Sequence, residues 1–386
     1  MEVNPGYKQT EVGVIPEDWD VKPLIGLITI MHGYGFQSQY FRPLGKYILT
    51  TPGHFYEDGG FRDITEKQKY YDGPLPEGYI LNEGDMIVAM TEQADGLLGS
   101  AAFIPLGDKY LHNQRLGKIR ILSPDVSARF LYRIFNSKTY RDKVKETAAG
   151  TKVKHTSPSK LIEIPVILPP TKAEQEAIAD ALSDADTLIE SLEQLIAKKR
   201  NLKQGAMQEL LHPKHDWIDC YIGNLLTIKH GKSQSAVVDK NGIYPILASG
   251  GQIGTANQFL YNKPSVLIGR KGTIDHPQYM DEPFWSVDTL FYSEIHAPNN
   301  AKYLFYQFCL IDWMQYNEAS GVPSLNARTI EQIKLKVPKP GVQTSIAIIL
   351  SDMDAEIYGL EAKLAKTRKI KQGMMQELLT GRIRLI

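Results

Sequence analysis

Side chains that can form paired hydrogen bonds with base edges occur in short polar segments of the chain. Arg, Lys, Asn, Gln, Ser and Thr supply the donors and acceptors that distinguish base pairs in a DNA groove. Residues 33–42, 91–96, 231–235, 249–255 and 269–273 are rich in such side chains. Plain turns use the same residue types, so a turn remains the alternative for each segment. The candidate DNA contacts are Tyr34, Gln37, Ser38, Gln39, Arg42, Gln93, Lys152, Lys154, Lys232, Ser233, Gln234, Ser249, Gln252, Arg270 and Lys271.

Arg270 and Lys271 are adjacent cations between Gly269 and Gly272. Arginine can bind two atoms of one base edge, and lysine contacts phosphates as a point charge. We therefore expect replacement of either residue to weaken DNA binding. The alternative is a solvated pair at the end of a strand.

Charge is segregated along the chain although it sums to zero. The sequence contains 44 Lys and Arg and 44 Asp and Glu. Basic residues dominate positions 115–160, and acidic residues dominate positions 57–95. A segregated distribution can present a basic face to DNA phosphates. The same pattern is also typical of an exposed amphipathic helix over residues 129–146 with solvated charges.

The sequence lacks the motifs of catalysis and of nucleotide binding. Residues 231–233 (GKS) lack the first glycine of a phosphate loop, and residues 249–255 do not form a dinucleotide fingerprint. Residues 168–171 (LPPT) lack the acidic or amide residue and the aromatic residue of an amino-methyltransferase loop. His212 and His215 have no third ligand at metal spacing. We therefore expect no catalytic residue, cofactor or metal in this chain, which indicates a binding protein.

Composition and apolar runs indicate a cytoplasmic protein. The chain is 42% hydrophobic and 23% charged, which is typical of a globular protein. No apolar run approaches the roughly 20 residues that span a bilayer, and the acidic N-terminal segment does not resemble a signal peptide. Cys220 and Cys309 lack a second cysteine at zinc-site spacing. We therefore expect no membrane contact.

The sequence contains an internal repeat. KQGAMQELL at residues 203–211 returns as KQGMMQELL at residues 371–379, and SDAD at 183–186 returns as SDMD at 351–354. Repeats of this kind predict two copies of one structural unit. The predicted order is a first globular domain at 1–170, a first helical segment at 171–212, a second globular domain at 213–340 and a second helical segment at 341–386.

Each helical segment carries one apolar seam with the spacing of a coiled coil. Acidic residues occupy the first half of each helix and basic residues the second half, which suits the helix dipole. Opposite charges meet if the two helices run antiparallel. We therefore predict an antiparallel pair, about 60 Å long at about 1.5 Å per residue, that holds two modules apart. The alternative is that each helix packs on its own domain. The seam residues are Ile178, Leu182, Ala185, Ile189, Leu192 and Ile196, then Ile346, Leu350, Met353, Ile357, Leu360 and Leu364.

The globular segments combine short strand-like runs, Gly-rich turns and one helical stretch near each end. This combination predicts two copies of an α/β (α+β) domain, related by an approximate two-fold axis. Gly205 and Gly373 lie inside the repeated string, where glycine costs about 1 kcal/mol relative to alanine. They indicate close approach of another backbone or a weakened last turn. The predicted strands include 47–50, 86–90, 118–122, 244–249, 265–269 and 290–295, and the predicted helices cover 128–137 and 302–316.

The order of these motifs resembles that of the specificity subunit of type I restriction-modification enzymes. The resemblance is carried by YKQTEVGVIPEDWDV near the start, IPVILPPTKAEQEAIADAL before the first helix, ASGGQIG, SVLIGRKG, and KQGMMQELLTGRIRL at the end. It extends from about residue 7 to the last residue. The second helix entry departs from the pattern, because it keeps Gln343 and Ile346 but lacks a counterpart of the acid Glu174.

The resemblance implies two target-recognition domains that each recognise half of a split sequence in double-stranded DNA. It also implies that the helices set the spacer length and dock two methylation subunits. Catalysis would then belong to partners, namely methylation subunits that use S-adenosylmethionine and restriction subunits that use ATP and Mg. The residues expected to contact partners are Leu195, Leu202, Met207, Leu210, Ile370, Met375 and Leu378.

Two other hypotheses remain. A structural adaptor with two domains would join proteins through the helices without touching DNA, and would give no sequence-dependent DNA complex. A chain that is itself a methyltransferase or nuclease would act on DNA alone.

Overall fold

The chain forms two compact units. The structure is a computed structural model that describes residues 5–92, 96–107, 109–150 and 153–385, apart from the side chain of Glu66. The first unit comprises Met1–Ser191 and Leu364–Ile386, and the second unit comprises Leu192–Lys363. Each unit contains its own large hydrophobic cluster.

The first unit is built on a four-stranded antiparallel sheet and a five-stranded mixed sheet. The four-stranded sheet has the order β11-β9-β13-β4, and the five-stranded sheet has the order β5-β7-β6-β12-β8. Its strands are β1 Tyr7–Thr10, β2 Gly13–Pro16, β3 Asp20–Lys22, β4 Ile28–His32, β5 Phe41–Arg42, β6 Tyr47–Thr50, β7 Tyr70–Tyr71, β8 Ile80–Leu81, β9 Met86–Ala89, β10 Thr91–Glu92, β11 Ala101–Phe103, β12 Tyr110–His112, β13 Leu116–Ile121, β14 Lys154–His155 and β15 Val166–Leu168. Its helices are α1 Ala128–Phe135, α2 Lys138–Thr147 and α3 Pro158–Glu163, followed by the start of α4 Lys172–Leu210.

The second unit repeats the four-stranded sheet and has a smaller second sheet. The orders are β17-β23-β20-β21 and β19-β18-β22. Its strands are β16 Ile218–Tyr221, β17 Leu226–His230, β18 Tyr244–Ala248, β19 Gly251–Ala256, β20 Ser265–Gly269, β21 Gln278–Met280, β22 Trp285–Ser286, β23 Leu290–Ile295 and β24 Lys334–Val337. Its helices are α5 Ile222–Leu225, α6 Ala301–Phe308 and α7 Ala327–Glu331, followed by the start of α8 Pro340–Leu378.

All six strands predicted from the sequence are present, which confirms the mixed α and β character of each domain. The alternative of a single helix over residues 129–146 is wrong, because the helix is interrupted between α1 and α2. There the Ser137 side chain accepts a hydrogen bond from the backbone N–H of Tyr140 and caps α2. The helix predicted over 302–316 ends at Phe308, and a short 3-10 turn follows at Trp313–Tyr316.

The predicted apolar seam of each long helix is confirmed. Helices α4 and α8 are each 39 residues long. The glycines at 205 and 373 do not weaken the last turns, because the helices continue to Leu210 and Leu378. Eight seam residues are buried, namely Ile178, Leu182, Leu192, Ile196, Ile346, Leu350, Ile357 and Leu364, and the other four are half-buried.

The antiparallel order of the helices is confirmed within each unit. In the first unit, Asp186 of α4 lies 2.5 Å from Lys371 of α8. In the second unit, Lys203 lies 2.5 Å from Asp354, and Lys199 lies 2.6 Å from Glu356. The acidic start of each helix therefore meets the basic end of the other.

The first turns of each long helix also pack on the domain that precedes them. Ile178 and Leu182 join the core of the first unit with Phe130. Ile346 and Leu350 join the core of the second unit. The start of each long helix therefore packs on its own domain, as the alternative predicted. Further along, ion pairs join the two helices.

Candidate nucleic-acid interface

In the first unit, three loops meet at one end of the four-stranded sheet. Strand β4 runs antiparallel to β13 with His32 beside Gly117, so the end of β4 lies beside the start of β13. The backbone N–H of Tyr34 donates to the carbonyl of His112 at 2.8 Å, and that of Met90 donates to the carbonyl of Arg115 at 3.0 Å. The segments after β4, after β9 and before β13 therefore form one continuous surface.

The second unit builds the same surface from equivalent segments. The backbone N–H of Lys232 donates to the carbonyl of Ser286 at 2.8 Å, and that of Arg270 donates to the carbonyl of Thr289 at 2.8 Å. These bonds join the segments after β17, after β20 and before β23. Loops at the end of a rigid sheet are the usual place for recognition residues.

In both units, a glycine allows the loop after one strand to pass directly against the backbone that precedes the neighbouring strand. This close passage is called the loop crossing below. A Cβ at Gly33 would lie 2.0 Å from the carbonyl oxygen of Asn113, and a Cβ at Gly231 would lie 1.9 Å from that of Val287. Any side chain at either position would displace the loop. The shared glycine therefore fixes one loop geometry, while the residues that follow it differ between the units.

The predicted contacts of the first unit lie mainly on the loop after β4. Gln37, Ser38 and Gln39 are exposed around a 3-10 turn, where the amide nitrogen of Gln39 lies 3.2 Å from the amide oxygen of Gln37. Tyr34 is 38% exposed and packs edge-on against Phe36. The packed rings of Tyr34 and Phe36 therefore precede a turn whose three polar side chains face solvent.

Two predicted contacts of the first unit have structural partners, and two lie outside the described residues. The Arg42 guanidinium donates to the backbone carbonyls of Gln39 and Phe41 at 2.9 and 3.0 Å, so it braces its own loop. The Lys154 Nζ lies 3.9 Å from the Glu92 carboxylate. Gln93 and Lys152 fall in the segments that the structure does not describe.

The predicted contacts of the second unit converge around Asp288 and Thr289. Arg270 donates from its guanidinium to the carbonyl of Asp288 at 3.3 Å, and the backbone N–H of Lys271 donates to that of Thr289 at 3.2 Å. The Ser249 hydroxyl lies 3.3 Å from the position that a Cβ at Gly272 would take. Lys232, Ser233, Gln252 and Lys271 are exposed, and Gln234, Ser249 and Arg270 are half-buried.

The basic segment at residues 115–160 does not form the basic face that its composition suggested. Lys118 lies 2.5 Å from Asp85, and Arg133 lies 2.5 Å from Asp186 of α4. Arg141 is 8% exposed and donates to backbone carbonyls, including that of Leu98 at 2.7 Å. Most of these cations therefore stabilise the fold, which the local sequence does not reveal because their partners are distant in the chain.

The first unit contains a cationic cleft that is not apparent from the sequence. A cavity of about 580 Å³ is lined by Lys67, Lys69 and Arg115, together with Ser38 and Gln114. The two lysines lie in the acidic part of the sequence, and Arg115 lies more than forty residues further along. No local pattern links them, because the strand pairing of the two sheets brings them together.

The predicted partner contacts divide into exposed and buried residues. Leu195, Leu202 and Ile370 are 38%, 51% and 51% exposed. Met207, Leu210 and Met375 are half-buried against the core of their own unit. Leu378 is 4% exposed and packs inside the first unit, so its side chain is not available to a partner.

The repeated glycines face open space. A Cβ at Gly205 or Gly373 would meet no heavy atom within 4 Å among the described residues, beyond the neighbouring turns of its own helix. The predicted close approach of another backbone is therefore not found at either glycine among the described residues. A cavity of about 670 Å³ runs along α4 beside Gly205 and Leu202.

Two further observations concern membranes and metals. None of the described helices is both long and apolar enough to cross a lipid bilayer. Within the described ranges, no three His, Cys, Asp or Glu side chains gather in a way that could hold a metal ion.

Two domains with equivalent loop surfaces and shared long helices define a protein with two recognition surfaces. The chain belongs to the family described as Type I restriction modification DNA specificity domain, which it matches over residues 16–198 and 214–370. The two matched ranges correspond to the two copies of the internal repeat.

Two curated relatives and one solved structure are similar to this chain. The chain is 23% identical to the type I restriction enzyme MjaIX specificity subunit of Methanocaldococcus jannaschii, over 98% of this chain and 96% of that protein. It is 26% identical to the MjaVIII specificity subunit of the same organism, but that match spans 48% of this chain and 43% of the relative. The crystal structure of a type I restriction-modification S subunit from M. genitalium has the same fold, with a TM-score of 0.66, 17% identity and coverage of 98% of both chains.

Proposed function

We propose that this chain is the sequence-recognition subunit of a type I restriction-modification complex. Each unit recognises one half of a bipartite DNA target through the loops at the end of its four-stranded sheet. The observation that carries the proposal is the glycine-dependent crossing at Gly33 and Gly231, which presents two different sets of polar side chains on one loop geometry. Because those side chains differ, the two half-sites are expected to differ.

In this proposal the chain itself has no catalytic role. Two methylation subunits supply adenine methylation with S-adenosylmethionine, and restriction subunits supply ATP-driven and Mg-dependent cleavage. The long helices α4 and α8 dock the methylation subunits and set the length of the spacer between the half-sites. DNA in the cytoplasm is the substrate of the assembled complex.

The exposed apolar residues of α4 are the proposed docking surface in the second unit. Leu195 and Leu202 are seven residues apart and therefore lie on one helix face. Gly205 and Ala206 continue beside that face along the cavity next to Leu202. A helix of the partner can approach closely at Gly205 and Ala206 because their side chains are small. This approach would explain Gly205, which no contact among the described residues requires.

A pull-down with the methylation subunit tests the docking surface. Leu195→Glu combined with Leu202→Glu is expected to abolish co-purification without changing the unfolding midpoint. Ile243→Glu is the matched control, because Ile243 is a 79% exposed apolar residue outside the helices. Equal loss of co-purification in the control, or none in the double variant, would reject the surface.

DNA binding by the chain with its methylation partner separates the hypotheses. The proposal predicts a gel-shift complex that depends on sequence in two separated blocks. A structural adaptor predicts no sequence-dependent complex. A catalytic chain predicts methylation or cleavage of DNA by the isolated protein.

A further inference from the structure

The cationic cleft of the first unit lies between the recognition loops and the five-stranded sheet. Its apolar floor includes Phe36, Phe41 and Leu49, and Gln114 and Ser38 line its side toward the loops. The Gln114 amide oxygen lies 2.9 Å from the position that a Cβ at Gly35 would take, so this wall touches the loop after β4. A ligand in the cleft would therefore lie directly beside the proposed base-contacting residues.

Three cations line this cleft without a carboxylate partner among the described residues. Lys67, Lys69 and Arg115 are exposed, and no side chain in the described ranges forms an ion pair with any of them. The Lys69 Nζ lies 6.0 Å from the centre of the Phe41 ring, which orients it over the floor. Uncompensated cations at one concave site raise the local concentration of anions.

The carboxylate in the lining does not cancel these charges. One oxygen of Glu92 accepts hydrogen bonds from the backbone N–H groups of Gly96, Leu97 and Leu98 at 3.2, 2.9 and 2.7 Å. Its other oxygen lies 3.9 Å from the Lys154 Nζ. Glu92 is therefore occupied in binding the backbone of residues 96–98. His54 also lines the cleft, and burial lowers its pKa, so its ring is neutral at neutral pH.

The shape of the site selects the part of DNA that it can take. Base edges lie at the bottom of a groove, so they are reached by side chains that project from a surface. A phosphodiester backbone is a convex ridge of charge, so it fits a concave site lined by cations. Gln37 and Gln39 project, whereas the three cations surround a hollow.

We infer that Lys67, Lys69 and Arg115 form a phosphodiester-binding cleft that positions the first half-site of duplex DNA against the loop after β4. This inference rests on the proposed function. It is specific to the first unit, because Thr289, which directly precedes β23, takes the place of Arg115, which directly precedes β13. The cleft fixes the register of the DNA, and the neighbouring loop recognises its bases.

Salt-dependent DNA binding by the chain with its methylation partner tests this assignment. The triple variant Lys67→Ala, Lys69→Ala and Arg115→Ala is expected to bind all sequences more weakly while preferring the same target. The slope of log K against log salt is expected to fall by about 2.7, at about 0.9 per lost phosphate contact. Lys22→Ala, Lys145→Ala and Lys172→Ala form the control, because these three exposed lysines of the same unit do not line the cleft.

DNA with uncharged methylphosphonate groups in place of phosphates provides a second measurement. It remains valid even if the triple variant does not fold. Methylphosphonate groups over the first half-site are expected to weaken binding by the unchanged chain, and to weaken binding by the single variant Arg115→Ala less. An unchanged salt slope in the triple variant, or equal sensitivity of both proteins to methylphosphonates, overturns the cleft. Relaxed preference at one base position would also overturn it, since that result indicates base contact. Absence of sequence-dependent binding by the unchanged chain would instead reject the proposed function.

Discussion

The Gln175 side chain at the start of α4 accepts a hydrogen bond from the backbone N–H of Ser127 at 2.9 Å. Its amide nitrogen donates to the carbonyls of Asp125 and Pro169 at 3.1 and 3.3 Å. Ser127 is the N-cap of α1, so one buried side chain ties the start of the long helix to the last part of the recognition domain. Gln343 has the same role in the second unit, where it accepts from Asn300, the N-cap of α6, at 3.0 Å.

Replacement of these glutamines is expected to loosen each helix from its domain. Gln175→Ala leaves a buried N–H and two carbonyls without partners, which costs about 1–3 kcal/mol of unfolding free energy. Urea unfolding of the full chain measures the loss, and faster hydrogen exchange at the start of α1 locates it. Gln204→Ala is the control, because Gln204 is exposed on the same helix. Equal stability of the two variants would contradict this role.

Charge exchange tests the antiparallel register of the helices in the second unit. Lys199 and Glu356 are 29% and 49% exposed, so their pair contributes about 0.2–1 kcal/mol after solvent screening. Lys199→Glu and Glu356→Lys are each expected to lower the unfolding free energy. The double variant is expected to recover most of the loss. Additive losses in the double variant would show that the two side chains do not meet.

Stability of the first unit is expected to fall in mild acid. Burial, with a smaller contribution from the charge of Lys118, lowers the pKa of His112 to about 4 against the opposing effect of the hydrogen bond to the Leu116 carbonyl. The unfolded chain binds this proton below about pH 6.5, whereas the folded chain does not until about pH 4. Stability is therefore complete above about pH 6.5 and is lost as the pH falls toward 4.

Comparison with His112→Gln measures this effect. The glutamine keeps a donor for the Leu116 carbonyl, which lies 3.0 Å from the imidazole Nε2. Between pH 7.5 and pH 5, the unchanged chain is expected to lose about 2 kcal/mol more unfolding free energy than the variant. His54, whose pKa is also lowered by burial, leaves a residual pH dependence in both proteins. Identical pH dependence in the two proteins would show that His112 is not the titrating group.

A shorter helix pair tests the proposed control of spacer length. Removal of residues 191–197 from α4 and 360–366 from α8 deletes one seven-residue repeat from each helix and preserves the apolar seam. The helices become about 10 Å shorter, at about 1.5 Å per residue. The preferred spacer is expected to shorten by about 3 base pairs, with weaker binding because that length of DNA also carries about 100° of twist. An unchanged spacer preference would reject the helices as the ruler.

Features that depend on local periodicity could be predicted from the sequence. The apolar seam, the charge order of each helix and the main strands follow from residue spacing within short windows. The duplicated string predicts the arrangement of two similar copies, because each copy follows its own globular segment. These features determine which elements exist and which faces they bury.

Features that depend on distant partners could not be predicted. The break before α2 arises because the Asn136 side chain bonds the backbone of Ala101 and Ser137 caps the next helix. Arg133 lies in the basic segment of the sequence, but Asp186 of a later helix pairs with it. The cleft of Lys67, Lys69 and Arg115 has no local signal in the sequence, because its members become neighbours only through strand pairing. Residue composition carries no information about such contacts.

Methylation mapping tests the central claim most directly. The chain and its methylation subunits would be expressed in a host without other adenine methyltransferases, and every methylated adenine in the genome would be located. Two unlike half-sites with a fixed non-specific spacer are predicted, and Arg270→Ala is expected to alter one half-site and leave the other intact. Methylation at one continuous sequence, or without any sequence preference, would contradict the claim that each unit recognises its own half-site.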